Sequence, residues 1–551
     1  MIGLHNISAY VDHHARERPH QRAVVFPESR ERSGRYHYSQ LTYAQLKALT
    51  DAYAAGFHRM GLARGDRVSV FLKPSLDFPA VTFALFKVGA VPVFIDPGMG
   101  RKQALSCVQR MKPRALVAIP LLHALRPLFA DNFRSVELSV TGGSSTGWWG
   151  GETLESLRAG QTGDFETTEM DPDEEAAILF TSGSTGPAKG VRYTHRIYDA
   201  QVRYIQEMYG IEPGEIDVAG FPLFGLFTIA MGVTTVFADV DPTKIAKADP
   251  TAVVQNIQDL SATSAFGSPT LWAIVARHCA ANDIKLPTLK RVLSAGAPIP
   301  VWLHESFKAI LSGGEIHTPY GATESLPVAS IGSDEVLADT AARTREGAGT
   351  CVGRPAPGIT LKIIGITDEA VSEWSDALVL PDGEIGEICV TGEVATRSYV
   401  DAGAANKKSK IRDGARVWHR IGDLGYFDDQ GRLWFCGRKA HRVQTSAGLV
   451  CSSPVEGVLN EEPGVARTAL IGIGQAPDQE PVIVIELEDG ADKASVERAV
   501  LARAAANEVT APIKRALFHP GFPTDVRHNA KIKREVLTEW AQRGSLVPRG
   551  K

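Results

Sequence analysis

The sequence predicts a large, layered α/β body followed by a smaller α+β block. Two observations support this fold class. Strand-like and helix-like segments alternate from residue 41 onward, with short Gly and Pro turns between them, as in folds that pack helices on a mainly parallel sheet. Near residue 437 the pattern changes and a shorter block begins. The 551 residues suffice for several domains or for fewer large ones.

The first elements follow from the spacing of apolar residues. Residues 41–57 have helical spacing and residues 67–72 read as a buried strand. A second helical stretch runs to Phe86, and a strand is predicted at 89–95. Further strands are predicted at 115–120 and 292–296.

The uncharged stretch 221–238 is the one segment that resembles a membrane span. It is interrupted by Pro222, Gly225 and Gly232, and Asp239 follows directly. A span needs about 20 apolar residues without such breaks. We therefore expect a buried helix followed by a strand, and no integral membrane segment.

The second block begins after the strand signals at 383–390 and 431–435. Beyond it, strands are predicted at 468–473 and 481–487 and a helix at 493–506. We place the boundary near 437–441, with domains at 1–438 and 439–543. Residues 544–551, which include the engineered-looking protease site at 546–550, are left out of the fold.

Composition narrows the functional class. The 59 Lys and Arg against 63 Asp and Glu give a net charge of −4, which argues against a nucleic-acid partner bound through bulk phosphate neutralisation. The six cysteines are scattered singly and are expected to be small core residues in a reducing compartment. Charged residues break up the N-terminus before any apolar run develops, so a cytoplasmic location is expected.

The strongest motif lies where an apolar strand at 177–180 enters a loop of hydroxyls and glycines with one lysine. The loop reads Thr181, Ser182, Gly183, Ser184, Thr185, Gly186, Pro187, Ala188, Lys189. Backbone N–H groups exposed by glycines, rotatable hydroxyls and a point charge together suit a polyphosphate. The spacing differs from the G-K-[ST] of the P-loop, and the buried strand beside it disfavours a plain surface loop.

Three weaker motifs follow along the chain. Thr323 and Glu324 sit in a loop that could contact a phosphate and hold Mg²⁺, although the pair also suits a helix cap. Asp423 lies in a Gly-flanked turn and could accept ribose hydroxyls, although such aspartates usually serve the turn itself. A basic cluster at 529–534 is, by default, a solvated face.

In this order, the motifs resemble the adenylate-forming superfamily of acyl-CoA synthetases, nonribosomal-peptide adenylation domains and firefly-type luciferases. The resemblance spans residues 41–537 and implies a large N-terminal domain with a small mobile C-terminal domain, using ATP and Mg²⁺. It implies a phosphate loop of Thr181, Ser182, Gly183, Ser184, Thr185, Gly186 and Lys189, and an adenine pocket of Gly296, Ala297, Pro298 and Tyr320. Thr323 would touch the α-phosphate, Glu324 would bind Mg²⁺, and Asp423 would bind the ribose with Arg438 beside it.

The same resemblance implies that Lys531 is the catalytic lysine. Pushing a carboxylate onto the α-phosphorus of ATP brings two anions together, and a cation between them offsets the repulsion. Removing a donor of this kind commonly costs about 10² to 10³ in rate.

Three departures bear on the second step of the reaction. Thioester-forming relatives usually carry His or an aromatic residue at the position of Gly225, Asp or Lys at that of Ala440, and often Lys at that of Gln444. Segments 221–227 and 435–443 most resemble the β-lactone synthetases of bacterial long-chain olefin biosynthesis.

That resemblance implies ATP-dependent activation of a long-chain 2-alkyl-3-hydroxy fatty acid as acyl-AMP. The β-hydroxyl then displaces AMP to close a β-lactone. Phe224, Gly225 and Phe227 would line the acyl pocket, where the missing side chain of Gly225 would make room for two alkyl chains. Other enzymes of the olefin pathway are the candidate protein partners.

Two histidines, His419 and His441, are candidates for a base acting on the hydroxyl. A structural role at the domain boundary is the alternative for each.

Other functions stay open at this point. A long-chain fatty acyl-CoA ligase is the main alternative. A serine hydrolase is a remote one, because residues 143–147 match G-x-S-x-G with Ser145 as nucleophile, although no helix signal follows directly. A non-catalytic adenylate-binding protein is disfavoured by the presence of both Glu324 and Lys531.

Overall fold

The computed structural model describes residues 6–143, 149–181, 188–241, 243–524 and 531–545. The predicted layered α/β body with a smaller α+β block is confirmed. The helices are α1 Ala9–Glu17, α2 Tyr43–Arg59, α3 Asp77–Lys87, α4 Arg101–Met111, α5 Pro120–Leu125, α6 Leu154–Arg158, α7 His195–Tyr209, α8 Pro222–Ala230, α9 Pro250–Leu260, α10 Pro269–Ala281, α11 Val301–Ile310, α12 Ser333–Glu335, α13 Ala341–Arg345, α14 Gly403–Ser409, α15 Ser452–Leu459, α16 Lys493–Ala506 and α17 Arg534–Ser545.

In the part of the chain that the structure describes, the strands form four sheets. They are β1 Arg22–Arg30, β2 Tyr36–Thr42, β3 Arg67–Phe71, β4 Val91–Ile95, β5 Ala115–Ala118, β6 Leu138–Thr141, β7 Glu152–Thr153, β8 Glu175–Thr181, β9 Lys189–Thr194, β10 Ile216–Ala219, β11 Thr234–Phe237, β12 Ser264–Gly267, β13 Arg291–Ser294, β14 Glu315–Ala322, β15 Ser325–Gly332, β16 Thr350–Pro355, β17 Ile359–Ile364, β18 Gly386–Gly392, β19 Tyr399–Val400, β20 Lys410–Asp413, β21 Arg416–Phe427, β22 Leu433–Arg438, β23 Val443–Thr445, β24 Gly448–Val450, β25 Val465–Ile473, β26 Glu480–Leu487 and β27 Arg515–Phe518.

Two large sheets form the N-terminal body. The first runs in the order β17-β18-β21-β22-β16-β15-β14-β13-β12-β10-β11-β1-β2, with β20 beside β21. It is parallel from β1 to β14, where β14 turns back as antiparallel β15. The second has the order β19-β9-β8-β4-β3-β5-β6-β7 and is parallel from β8 to β7.

Helices fill the space between these sheets and cover their outer faces. Strands β1, β10 and β11 alternate their side chains across the first sheet. On one face, Val24, Ala219 and Phe237 pack with α2, α3, α7 and α8 into a core that also contains side chains of β3. On the opposite face, Val25 and Val236 pack against α9, α10 and α11. The outer face of the second sheet packs on α4.

The C-terminal block is a three-stranded sheet, β25-β26-β27, with α15 and α16 on one face and α17 on the other. The predicted helix at 493–506 matches α16, and the predicted strands at 468–473 and 481–487 match β25 and β26. All six cysteines are free and buried, as expected.

Segment 221–238 forms α8 and then β11, so the predicted helix and strand are confirmed. Across the described ranges, no helix has both the length and the apolar character that a bilayer crossing requires.

Candidate active site

The carboxyl ends of β8 and β14 bring two of the sequence motifs to the region where the two large sheets meet. Ligands of open α/β sheets bind at such carboxyl ends. Strand β8 leads into the hydroxyl-rich loop, and β9 returns antiparallel with Thr181 paired to Lys189. Ser182, Gly183, Ser184, Thr185, Gly186 and the side chain of Thr181 lie outside the described residues, so their predicted phosphate contacts stay predictions.

The turn between β14 and β15 carries Thr323 and Glu324. Residues of β9, of β19 and of the segment before β19 hold this turn through its backbone and through the Glu324 side chain. Tyr193 Oη donates to the Thr323 carbonyl at 2.7 Å, and Tyr399 Oη donates to Glu324 Oε1 at 2.7 Å. Thr396 N donates to the Glu324 carbonyl at 2.8 Å. The carboxylate of Glu324 is therefore oriented before any ligand binds.

Two lysines flank the Tyr399 ring. Lys189 Nζ lies 5.1 Å and Lys410 Nζ 5.5 Å from the ring centroid, both within cation–π range. Lys410 is buried, and burial lowers the pKa of its ammonium group to about 7, while nearby Glu324 acts in the opposite direction and Lys189 lowers it further. Sequence reasoning identified Lys189 and missed Tyr399 and Lys410.

The predicted ribose residues are also brought together. Asp423 on β21 and Arg438 on β22 are register partners, and Arg438 Nη1 donates to Asp423 Oδ1 at 2.8 Å. Tyr320 Oη donates to Asp423 Oδ2 at 2.7 Å. Burial raises the pKa of Tyr320 well above its usual value, and the Asp423 charge acts in the same direction, so the phenol stays a donor. Two of about four lone-pair positions on the carboxylate are thus occupied.

The predicted adenine residues Gly296, Ala297 and Pro298 follow directly after β13, which lies parallel to β14. Gly296 has φ +106°, a backbone conformation that favours glycine. The loop therefore leaves the sheet at the same edge as Tyr320, which lies near the end of β14.

The predicted acyl-pocket residues lie on α8. Phe224 is buried and stacks on Phe266 at 3.8 Å between ring centroids, and half-buried Phe227 stacks on Tyr198 at 4.7 Å. A Cβ on Gly225 would lie 2.7 Å from Phe237 Cε1 and 2.9 Å from Thr235 Cγ2. The prediction that the missing side chain of Gly225 makes room for alkyl chains is therefore corrected. A glycine is needed at this position because α8 packs closely against β11.

The two histidines occupy different surroundings. His419 is buried, and its Nδ1 lies 3.2 Å from the Ser409 carbonyl. A carbonyl only accepts, so Nδ1 must carry the proton and a neutral ring keeps Nε2 as an acceptor. Burial and the neighbouring Lys410 lower the pKa of His419 well below its usual value. Burial, with Arg534 and Arg438 nearby, lowers the pKa of His441 to about 4.

The segment at the predicted domain boundary is held to the N-terminal body by ion pairs. Lys439 Nζ lies 3.0 Å from Glu387 Oε1, and Arg442 pairs with Asp368. Ala440 lies between these two anchors in the short helix Lys439–His441. The predicted boundary thus falls on a short, anchored connection.

Lys531 is exposed and precedes Ile532, which bridges Thr524. Its predicted catalytic role stays a prediction. Ser145, the alternative nucleophile, lies outside the described residues. From residue 149 the chain forms a turn, then β7 and then α6.

Comparisons with known proteins show the family of this chain. A family model described as "AMP-binding enzyme" matches residues 11–400. The chain is 45% identical over 546 residues to the olefin beta-lactone synthetase of Stenotrophomonas maltophilia (strain K279a), covering 97% of this chain and 98% of that protein. It is 43% identical over 552 residues to the olefin beta-lactone synthetase of Xanthomonas campestris pv. campestris, covering 98% of each.

A solved structure of o-succinylbenzoate coenzyme A synthetase from Bacillus subtilis, in complex with ATP and magnesium ion, superposes with a TM-score of 0.75. The identity is 19%, over 96% of this chain and 98% of that chain. At that identity the likeness establishes the fold alone.

Proposed function

Because the chain belongs to the AMP-binding enzyme family, we propose that it activates a long-chain 2-alkyl-3-hydroxy fatty acid with ATP and closes it to a β-lactone. The observation that carries this proposal is the match over nearly the whole chain, including the C-terminal block, to two proteins named olefin beta-lactone synthetase. Enzymes of this family use ATP.

In the first step, a carboxylate oxygen of the acid bonds to the α-phosphorus of ATP and pyrophosphate leaves. We assign the polyphosphate to the loop 181–186 and Lys189, and the α-phosphate to Thr323. The adenine lies against Gly296, Ala297, Pro298 and Tyr320. Asp423 accepts from the ribose hydroxyls, since its carboxylate keeps lone pairs beyond those used by Arg438 and Tyr320.

Glu324 fits the magnesium ion that this chemistry needs. Mg²⁺ binds through one or two carboxylates plus phosphate oxygens, and Glu324 presents one oriented, half-buried carboxylate at the end of β14. When bound, the ion supplies positive charge against the phosphates. Lys189, whose Nζ lies 5.1 Å from the centroid of the Tyr399 ring, adds a second cation beside the tyrosine that holds Glu324.

In the second step, the β-hydroxyl oxygen bonds to the activated acyl carbon and the bond to AMP breaks. The nucleophile belongs to the substrate, so no thiol is required, and well-oriented intramolecular attack reaches effective molarities of about 10⁵ to 10⁸ M. The hydroxyl proton passes to a base. His419 and His441 both remain candidates, and each is held neutral by its lowered pKa.

We further assign residues 439–543 to a C-terminal cap that supplies Lys531 as the cation between carboxylate and α-phosphate. The anchored connection at Lys439 and Arg442 supports this division of the chain. Phe224 and Phe227 are the residues of α8 assigned to the acyl pocket. Assembly with the enzymes that supply the hydroxy acid or consume the lactone belongs to the same proposal.

The experiment uses the purified protein with ATP, Mg²⁺ and a 2-alkyl-3-hydroxy acid, without coenzyme A. Repeated release of AMP is expected, because the product leaves the site after ring closure. The matched control is the same acid without its 3-hydroxyl, which should give no repeated release. If neither acid gives repeated AMP release until coenzyme A is added, the result would favour a fatty acyl-CoA ligase instead.

A further inference from the structure

Lys410 is a buried lysine that the proposed reaction does not use. It begins β20 with only 8% of its surface exposed. Its Nζ donates to the Thr396 carbonyl and lies 3.1 Å from Thr396 Oγ1. Both of these contacts are made with Thr396, whereas the charge of Glu324 acts on the nitrogen through space. A buried charge is costly unless it is paired or hydrogen-bonded, so a purely space-filling role would favour an apolar side chain here.

Both partners of Lys410 are also the partners of Glu324. Thr396 accepts from Lys410 and donates its own N–H to the Glu324 carbonyl at 2.8 Å. Tyr399 lies with its ring 5.5 Å from Lys410 Nζ and donates its hydroxyl to Glu324 Oε1 at 2.7 Å. Lys410 therefore holds the backbone contact and the side-chain contact of Glu324 at once.

The strand pairing explains how Lys410 comes to this position. Lys410 is the register partner of His419 across β20 and β21, and both residues are buried beside Tyr399. Burial lowers the pKa of Lys410, Lys189 lowers it further, and Glu324 opposes both. Glu324 is thus the charge that favours an ammonium group at this point.

We propose that Lys410 is a positioning residue that fixes the Glu324 carboxylate through Thr396 and Tyr399, and so strengthens the binding of ATP in the presence of Mg²⁺. The inference rests on the proposed function, because it assigns the carboxylate to the metal that accompanies ATP. Outer-shell partners of metal ligands typically contribute about 10- to 100-fold to metal affinity.

The test measures ATP binding by titration calorimetry, once with Mg²⁺ and once with EDTA. The wild-type protein should bind ATP more tightly with Mg²⁺. Lys410→Met should lose about 10- to 100-fold of that gain while its affinity in EDTA is unchanged. Lys408→Met, an exposed neighbour on α14, is the matched control and should behave like the wild type.

A second variant keeps the test valid if Lys410→Met does not fold. Tyr399→Phe keeps the ring and Lys410 and removes only the hydroxyl on Glu324, so it should lose the same Mg²⁺-dependent gain. When both variants fold, the double variant should lose no more than either one, since residues that act through one contact are not additive.

A wild-type gain retained by Lys410→Met or by Tyr399→Phe would overturn the inference and leave the proposed function standing. Absence of ATP binding by the wild-type protein under both conditions would instead refute the proposed function, and the inference with it.

Discussion

Replacing Asp423 by Asn tests the ribose site with a change that preserves shape and removes one negative charge. The Asp423 side chain is 7% exposed. Its Oδ1 accepts from Arg438 at 2.8 Å and its Oδ2 from Tyr320 at 2.7 Å. The remaining lone pairs are the ones assigned to the two ribose hydroxyls.

The expected loss follows from the difference between hydrogen bonds to a charged carboxylate and hydrogen bonds with a neutral amide, whose oxygen accepts and whose Nδ2 donates. Hydrogen bonds to charged groups contribute about 1.5–3 kcal/mol and neutral ones about 0.5–1.5 kcal/mol. Asp423→Asn should therefore cost about 1 kcal/mol for each hydroxyl, or about 2 kcal/mol for both. At about 1.4 kcal/mol for each factor of ten, ATP should bind roughly 30-fold more weakly.

The assay titrates the wild type and Asp423→Asn with ATP and with 2′,3′-dideoxy-ATP. The wild type should prefer ATP, this preference should be roughly 30-fold smaller in the variant, and both should bind dideoxy-ATP with equal affinity. A variant that keeps the wild-type preference would refute the assignment of Asp423 to the ribose. Equal weakening of both ligands would show damage to the site rather than loss of a ribose contact.

Three further predictions concern α8, the cap and the buried lysine. Gly225→His should lower the melting temperature, and it should lower the turnover of single-chain and two-chain acids alike. The reason is that a Cβ would lie 2.7 Å from Phe237, and overpacking costs about 1–3 kcal/mol. A loss of turnover confined to two-chain acids would contradict the close packing of α8 on β11 as the cause. Lys531→Ala should reduce the rate of acid-dependent pyrophosphate release by about 10² to 10³. Lys533, which is also exposed, gives the control, and Lys533→Ala should keep the wild-type rate. Equal rates in the two variants would show that Lys531 does not act in the first step. The pKa of Lys410 falls from 10.5 to about 7 on folding, so between these values the unfolded chain binds more protons and raising the pH stabilises the native state. The melting temperature of the wild type should therefore rise relative to that of Lys410→Met from pH 7 to 9.5. A difference in melting temperature that does not change with pH would contradict the lowered pKa.

Much of the fold was predictable from the sequence because local patterns decide it. Helix α16 and strands β25 and β26 lie where the apolar spacing places them, and segment 221–238 splits into α8 and β11 as its breaks require. The order of strands in the large sheets does not follow, because it depends on contacts between residues far apart in the chain.

The site was predictable only where a motif carries its own chemistry. Asp423 and Arg438 lie side by side, as the resemblance implies, whereas the hydrogen bond from Tyr320 to Asp423 was not predicted. Tyr399 and Lys410 were missed, because a tyrosine in a two-residue strand and a lysine among other lysines have no local signal. Their importance comes from the approach of β19 and β20 to the turn after β14, which joins positions 75 residues apart in the contact between Tyr399 and Glu324.

Gly225 shows a limit of a different kind. The sequence shows that a side chain is absent at this position, but the absence could mean either room for substrate or close packing of a helix on a strand. The residues in contact with Gly225 decide between the two explanations. The proximity of Phe237 and Thr235 makes close packing of a helix on a strand the physical reason for glycine.

The central claim is that the carboxylate is activated on phosphorus and then captured by the substrate's own hydroxyl. The most direct measurement supplies a 2-alkyl-3-hydroxy acid carrying oxygen-18 in both carboxylate positions, with ATP and Mg²⁺ and without coenzyme A, and weighs both products. AMP should carry one heavy oxygen and the β-lactone should carry the other. A lactone that retains both heavy oxygens beside unlabelled AMP would contradict it, because the hydroxyl rather than the carboxylate would then have been activated.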